Sequence, residues 1–212
     1  MTRPQTRKKN TGEPGNGGQY AARSRPDAEA VLDDGWVRET RDGHIVDTLL
    51  HQNGLLAEIK HYTGAGELER HDKFSDDPGD GRAALNASLC YYGGELHDAP
   101  DGAAAIRTWD NGKPQITVYM QNGKQQDPKP GQPAFTAHIK DGTAALLIHQ
   151  QHGVVQDPSP GVPARIATLD GGRMKRSTFY TRGRPWKQVD EATVKLPEGK
   201  NVVITTTRET SV

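Results

Sequence analysis

Tyr91-Tyr92-Gly93-Gly94-Glu95-Leu96-His97-Asp98-Ala99-Pro100-Asp101-Gly102-Ala103-Ala104 is the first of three copies of one unit. The second is Tyr119-Met120-Gln121-Asn122-Gly123-Lys124-Gln125-Gln126-Asp127-Pro128-Lys129-Pro130-Gly131-Gln132-Pro133-Ala134. The third is His149-Gln150-Gln151-His152-Gly153-Val154-Val155-Gln156-Asp157-Pro158-Ser159-Pro160-Gly161-Val162-Pro163-Ala164. Each has a turn Gly (94, 123, 153) four residues before an Asp (98, 127, 157). A second Gly (102, 131, 161) and then an Ala (104, 134, 164) follow, and a further turn Gly (112, 142, 172) comes after them. A period of roughly 30 residues is the signature of a repeat architecture, in which each unit buries its apolar face only against its neighbours.

Between these marks the chain reads as strand and turn. First strands begin at Ala104, Ala134 and Ala164, and second strands run from Gln115 to Met120, Ala145 to Gln150 and Lys175 to Tyr180. The Asp-Pro-x-Pro-Gly loops cross to the next hairpin, where Pro cannot extend a ladder. Alternation puts Ala104, Ile106 and Thr108 on one side, in phase with Ala134, Thr136 and His138 and with Ala164, Ile166 and Thr168. Ile116 and Val118 likewise match Leu146 and Ile148. Cys90, Tyr119, His149 and Phe179 each stand four residues before a turn Gly, an arrangement that predicts side chains stacking from hairpin to hairpin.

Upstream, Asp42-Gly43, Asn53-Gly54 and Gly64-Ala65-Gly66 separate runs at 45–50 and 56–62. Asp-Gly and Asn-Gly suit type I′ hairpin turns, which need positive φ at both central residues. Downstream, Asn201 to Thr207 is a final strand, and the charged Arg208-Glu209 is expected to discourage edge-to-edge pairing. The expected fold is an all-β, elongated, single-sheet antiparallel meander of repeated hairpins over 35–207, regular over about 86–200. A disordered basic and Gly-rich tail (1–23) and a short capping helix (24–34) precede it. Ser24 is the N-cap of that helix, with Pro26 in its first turn and Asp27 completing a capping box.

Composition fits a thin sheet. Hydrophobic residues are 33% of the 212, mean hydropathy is −0.81, and Gly (24) and Pro (14) supply turns. Lys+Arg equals Asp+Glu at 27 each, against the basic footprint of a dedicated nucleic-acid binder. No run approaches the length of a membrane helix. No secretory leader is visible, so a cytoplasmic location is the expectation.

The stretch from Gly94 to Ile106 resembles the Asn-Gly-x-Leu-His-x-x-x-Gly-Pro-Ala unit of MORN-like repeat proteins of bacteria, phages and giant viruses. That group includes YwqK-type antitoxin repeats. Asn122-Gly123, Gly131, Pro133-Ala134, Gly161 and Pro163-Ala164 carry the same marks. Two departures stand out: a longer loop, and a second strand poor in aromatics. The resemblance implies a meander of hairpins and a binding role.

Candidate chemistry is sparse. His44, His51, His61, His71, His97, His138, His149 and His152 include one close pair, His149 and His152, and no second pair at matching spacing, so no zinc set is predicted. The acidic stretches 76–81 and 98–102 lack the spaced carboxylates of a calcium loop. Asp127 and Asp157, each before Pro, read as Asx-turn acceptors. Cys90 with His97 is a conceivable nucleophile pair, yet a strand Cys at a repeat position reads as packing. No catalytic residue, cofactor or metal is predicted. The expected function is a non-catalytic interaction module for a protein partner, antitoxin-like or a phage or mobile-element accessory. A membrane-associated MORN-type scaffold and an enzyme of unknown type are the alternatives. Tyr91, Tyr92, Trp109, Tyr119, Phe135, Tyr180 and Trp186 are the candidate partner-binding residues, because aromatics carry interface energy.

Overall fold

The computed structural model describes residues 28–31 (backbone only), 35–75, 83–110 and 112–210. The tail 1–23 and the acidic stretch 76–81 lie outside the described residues.

The strands are β1 (Ala28–Val31), β2 (Val37–Arg41), β3 (His44–Leu50), β4 (Leu56–Tyr62), β5 (Leu68–Phe74), β6 (Leu85–Tyr92), β7 (Glu95–Leu96), β8 (Ile106–Asp110), β9 (Lys113–Val118) and β10 (Met120–Gln121). They continue as β11 (Lys124–Gln125), β12 (Phe135–His138), β13 (Ala144–Ile148), β14 (Gln150–Gln151), β15 (Val154–Val155), β16 (Arg165–Leu169), β17 (Met174–Thr181), β18 (Arg184–Lys195) and β19 (Asn201–Glu209). Fifteen of them form one antiparallel sheet in sequence order from β1 to β19, with β7 attached to β6. The two short ribbons β10–β11 and β14–β15 stand off it. The expected meander of hairpins is therefore the fold.

The expected helix is not. Ala28–Val31 is an edge strand on β2, with Val31 opposite Val37 and a register shift between Ala28 and Ala30. A helix of about two turns cannot hold itself together in isolation. The open edge of β2 offers unpaired N–H and C=O groups, which a strand satisfies and a helix does not. Residues 24–27 and 32–34 of that stretch lie outside the described residues.

One sheet leaves no second layer to pack against. Among the described residues the buried apolar ones are accordingly small: Ala57, Cys90, Ala104, Ala105, Val118, Ala134, Ala164 and Ala167, with Trp36 the one large ring. Ladder hydrogen bonds and cross-strand pairs must carry much of the stability. Two of those pairs are bidentate. Arg38 grips Asp47 across β2–β3 (2.7 and 2.7 Å), and Arg176 grips Asp190 across β17–β18 (2.8 and 3.0 Å). The guanidinium hydrogen bonds hold both carboxyls below the usual carboxylate range. A depressed folded pKa stabilises the fold above the unfolded value of about 3.9, and that stability is lost as pH falls through the folded value. Acid titration followed by circular dichroism should show stability falling below about pH 4, with a smaller fall in Asp47→Asn.

The repeat is held by its Asp. Asp98 Oδ1 accepts from Ala105 N (3.0 Å) and Met120 N (2.8 Å). Asp127 Oδ1 accepts from Ala134 N (2.8 Å) and Gln150 N (2.9 Å), and Asp157 Oδ1 from Ala164 N (2.9 Å) and Tyr180 N (2.8 Å). These are not the expected Asx-turns, which close two residues on. Each carboxylate joins its own loop to the strand corner of the next unit. True Asx-turns occur at Asp101 and Asp141, which accept from Ala103 N and Thr143 N.

The turn glycines also occupy like places. Gly123 N donates to Leu96 O, Gly153 N to Gln125 O and Gly183 N to Val155 O, so each hairpin tip hangs on the one before it. All three have φ between 69° and 82°, and a Cβ at Gly183 would lie 3.2 Å from Val154 Cγ1. Glycine meets both the backbone and the steric demand there.

The register corrects one phase. Cys90, Tyr119 and His149 N donate to Ala105, Ala134 and Ala164 O, so Ala105, not Ala104, is the partner of Ala134 and Ala164. Ile106 therefore lies opposite Val118, which lies opposite Phe135, which lies opposite Ile148. Arg107, Thr117, Thr136, Leu147 and Ile166 form the adjacent row on the other face. A slip of one residue exchanges faces, so Ile106 and Ile166 point to opposite sides. Ile116 and Val118 do share a face with Leu146 and Ile148, as expected.

Candidate functional site

A cavity of about 1160 Å³ opens where β4, β5, β6 and β8 meet the loop from His97 to Ala104. The loop arches because Ala99 N donates to Ala103 O and Gly102 N to Ala99 O (both 2.8 Å), while Asp98 is anchored on Met120 O through its own N–H. Strand alternation turns His61, Arg70, Ser88, Cys90, Arg107 and Trp109 toward this side, and all six line the cavity. Arg70 Nε donates to the buried Asp72 at 2.9 Å. Arg107 is half-buried, faces Ser88 across the ladder, and makes no ion pair among the described residues.

Burial shifts three ionisable groups that line the cavity: it pushes the Asp98 carboxyl up, against the hydrogen bonds from Met120 N and Ala105 N. Burial, the largest influence, pushes the His61 pKa down, against the pull of Asp72, so its ring is neutral near pH 7. Burial also pushes the Cys90 thiol up, outweighing Arg70 and Arg107. His97 N donates to Cys90 O (3.1 Å), but its Nδ1 donates to the Asp98 carbonyl at 2.8 Å and its ring leans on Tyr92 at 5.6 Å. The sequence neighbours Cys90 and His97 thus meet through the backbone, with the thiol protonated and Nδ1 of the ring engaged elsewhere. A thiolate is the reactive form. Native Cys90 should therefore react with an aromatic disulfide reagent at under about a tenth of the rate of the unfolded chain.

The aromatic candidates divide. Tyr91, Tyr92 and Trp109 line the cavity, and Tyr92 is 74% exposed. Tyr119 accepts from Gln132 Nε2 at 2.5 Å, Phe135 lies in the opposite-face row with Val118 and Ile148, and the Tyr180 backbone is bound to Asp157. Trp186 stacks on Phe179 at 5.8 Å. The structure does not gather those four with the first three. Nor do Cys90, Tyr119, His149 and Phe179 stack on one another: among the described residues the ring contacts are Tyr92–His97 and Phe179–Trp186. His149 instead turns Nδ1 to Asp127 Oδ2 at 2.7 Å.

Of the metal candidates, His149 is committed to Asp127, and His152 sits in a left-handed turn at φ 53°. No group of three His, Cys, Asp or Glu poised for a metal ion occurs among the described residues.

Sequence reasoning passed over Arg107 and Arg70, and considered His61 only as a metal ligand. Arg107 had a usable signal. It stands thirteen residues after its turn Gly, where the other two units have Thr136 and Ile166. A charge at an otherwise uncharged repeat position marks the unit that differs. No protein-family model matches this chain, and no curated protein does.

Proposed function

We propose that the chain is a non-catalytic interaction module that receives a segment of a protein partner in the cavity over β4 to β8. The observation that carries this reading is that Tyr91, Tyr92 and Trp109 line one concavity together with Arg107, whose guanidinium makes no ion pair among the described residues. Aromatic rings and Arg are the residues that supply most energy at protein interfaces. The protonated Cys90 and neutral His61 supply no activated nucleophile or charged acid beside them. A carboxylate of the partner is the natural complement of Arg107.

The similarity to MORN-like and YwqK-type units favours the same reading, that of a cytoplasmic antitoxin-like or phage accessory protein. Among the described residues no helix is long and apolar enough to cross a membrane. With equal numbers of acidic and basic residues, co-sedimentation with anionic vesicles at physiological salt should be at background, against the scaffold alternative.

Affinity capture with the intact chain, compared with Trp109→Ala and Arg107→Ala, tests the proposal. Proteins retained by the parent and lost from both variants are the expected result. Capture that is indifferent to both substitutions would move the interface elsewhere.

A further inference from the structure

We infer that two copies of this chain join through β19, antiparallel about a twofold axis at Thr205, into one continuous sheet. Among the described residues β19 is the last strand of the sheet, and its one partner there is β18. All nine of its residues are exposed, including Val202 (39%), Val203 (59%) and Ile204 (52%). Residues 202–207 are Val-Val-Ile-Thr-Thr-Thr, six β-branched side chains in a row without a charge or a Pro. Such a segment on an open edge is a template for strand addition.

The hydrogen-bond phase identifies what the edge offers. Leu196 N donates to Lys200 O and Thr210 N to Trp186 O, both at 2.8 Å. The register between them is unbroken from Lys187↔Glu209 to Lys195↔Asn201. Even-numbered residues therefore turn their backbone groups to β18. Asn201, Val203, Thr205, Thr207 and Glu209 turn theirs outward.

A second β19 fits that edge. With Thr205 opposite Thr205, every outward residue meets another outward residue: Val203 opposite Thr207, and Asn201 opposite Glu209. Between them Ile204 lies opposite Thr206 and Val202 opposite Arg208, whose stem can cover it. No like charges stand directly opposite each other. The charged end that was expected to block pairing thus falls against an uncharged residue at each end of the dyad. The other edge of the sheet offers less. β1 has four residues and a register shift, against nine unbroken ones.

Sedimentation of the full chain over a wide concentration range should show a reversible dimer. Val203→Lys with Thr207→Lys places like charges opposite each other twice in the dimer, at positions exposed in the monomer. The mass should fall to that of one chain with the circular dichroism spectrum unchanged. Val203→Glu with Thr207→Glu should behave alike, and mixing the two variants should restore the dimer mass. Thr205→Cys should cross-link copies under mild oxidation, because residues so paired have Cα atoms about 5.5 Å apart. A parent chain that is monomeric up to its solubility limit would overturn the inference. So would a dimer that survives the paired lysines, or one in which Thr205→Cys fails to cross-link.

Discussion

Asp127→Ala is expected to lower the free energy of unfolding by about 3–5 kcal/mol, measured by urea denaturation. The carboxylate receives Ala134 N and Gln150 N on one oxygen and His149 Nδ1 on the other. Its side chain is 10% exposed and that of His149 7%. Alanine leaves two backbone donors and an imidazole without partners where water reaches them poorly. An unmade bond at a buried site costs the group's full desolvation. Asp127→Asn keeps an acceptor for the two backbone donors, so its cost should be about 1 kcal/mol. Asp157 makes the same two backbone bonds without an ion pair among the described residues, so Asp157→Ala should fall between the two. Equal costs for Asp127→Ala and Asp127→Asn would show that the backbone bonds contribute little.

Ala134→Leu is the second large effect, an expected loss of about 3 kcal/mol in the same measurement. Ala134 is fully buried, as are Ala105 and Ala164 at the matching positions. Its N–H is held by Asp127 and its C=O by Tyr119 N at 2.7 Å. The backbone is clamped on both sides, so it cannot move away to admit three more carbons. Overpacking then appears as strain. Ala134→Gly, which removes one methyl and loosens the chain, should cost about 1 kcal/mol. A leucine tolerated without loss would mean that the corner is softer than its hydrogen bonds imply.

Both predictions rest on residues that the repeat had singled out, but for reasons the repeat did not contain. The recurrence of Asp after the turn Gly was plain in the letters, and so was its role as a backbone acceptor. The identity of its donors was not. One lies seven residues on and the other more than twenty, a separation set by how hairpins stack rather than by local turn chemistry. Counting eleven residues from each turn Gly reaches Ala105, Ala134 and Ala164, so the correct phase was available in the sequence. The neighbouring Ala104 hid it. Over 28–31 the expected helix gives way to a strand for a different reason: the edge of β2 takes up that backbone. The cavity was the least legible part. His61, Arg70 and Arg107 lie on three different strands, β4, β5 and β8, and face one space because the ladder register aligns them.

The sequence by itself determined the hairpin meander, because periodic glycines adopt the left-handed turns that L side chains resist, and alternating strands between them can only pair back on themselves. The tertiary structure alone decided which face each side chain takes, what each Asp binds, and that β19 is an edge strand among the described residues. Those outcomes follow from strand register. Register is a relation between distant segments, and no single segment encodes it.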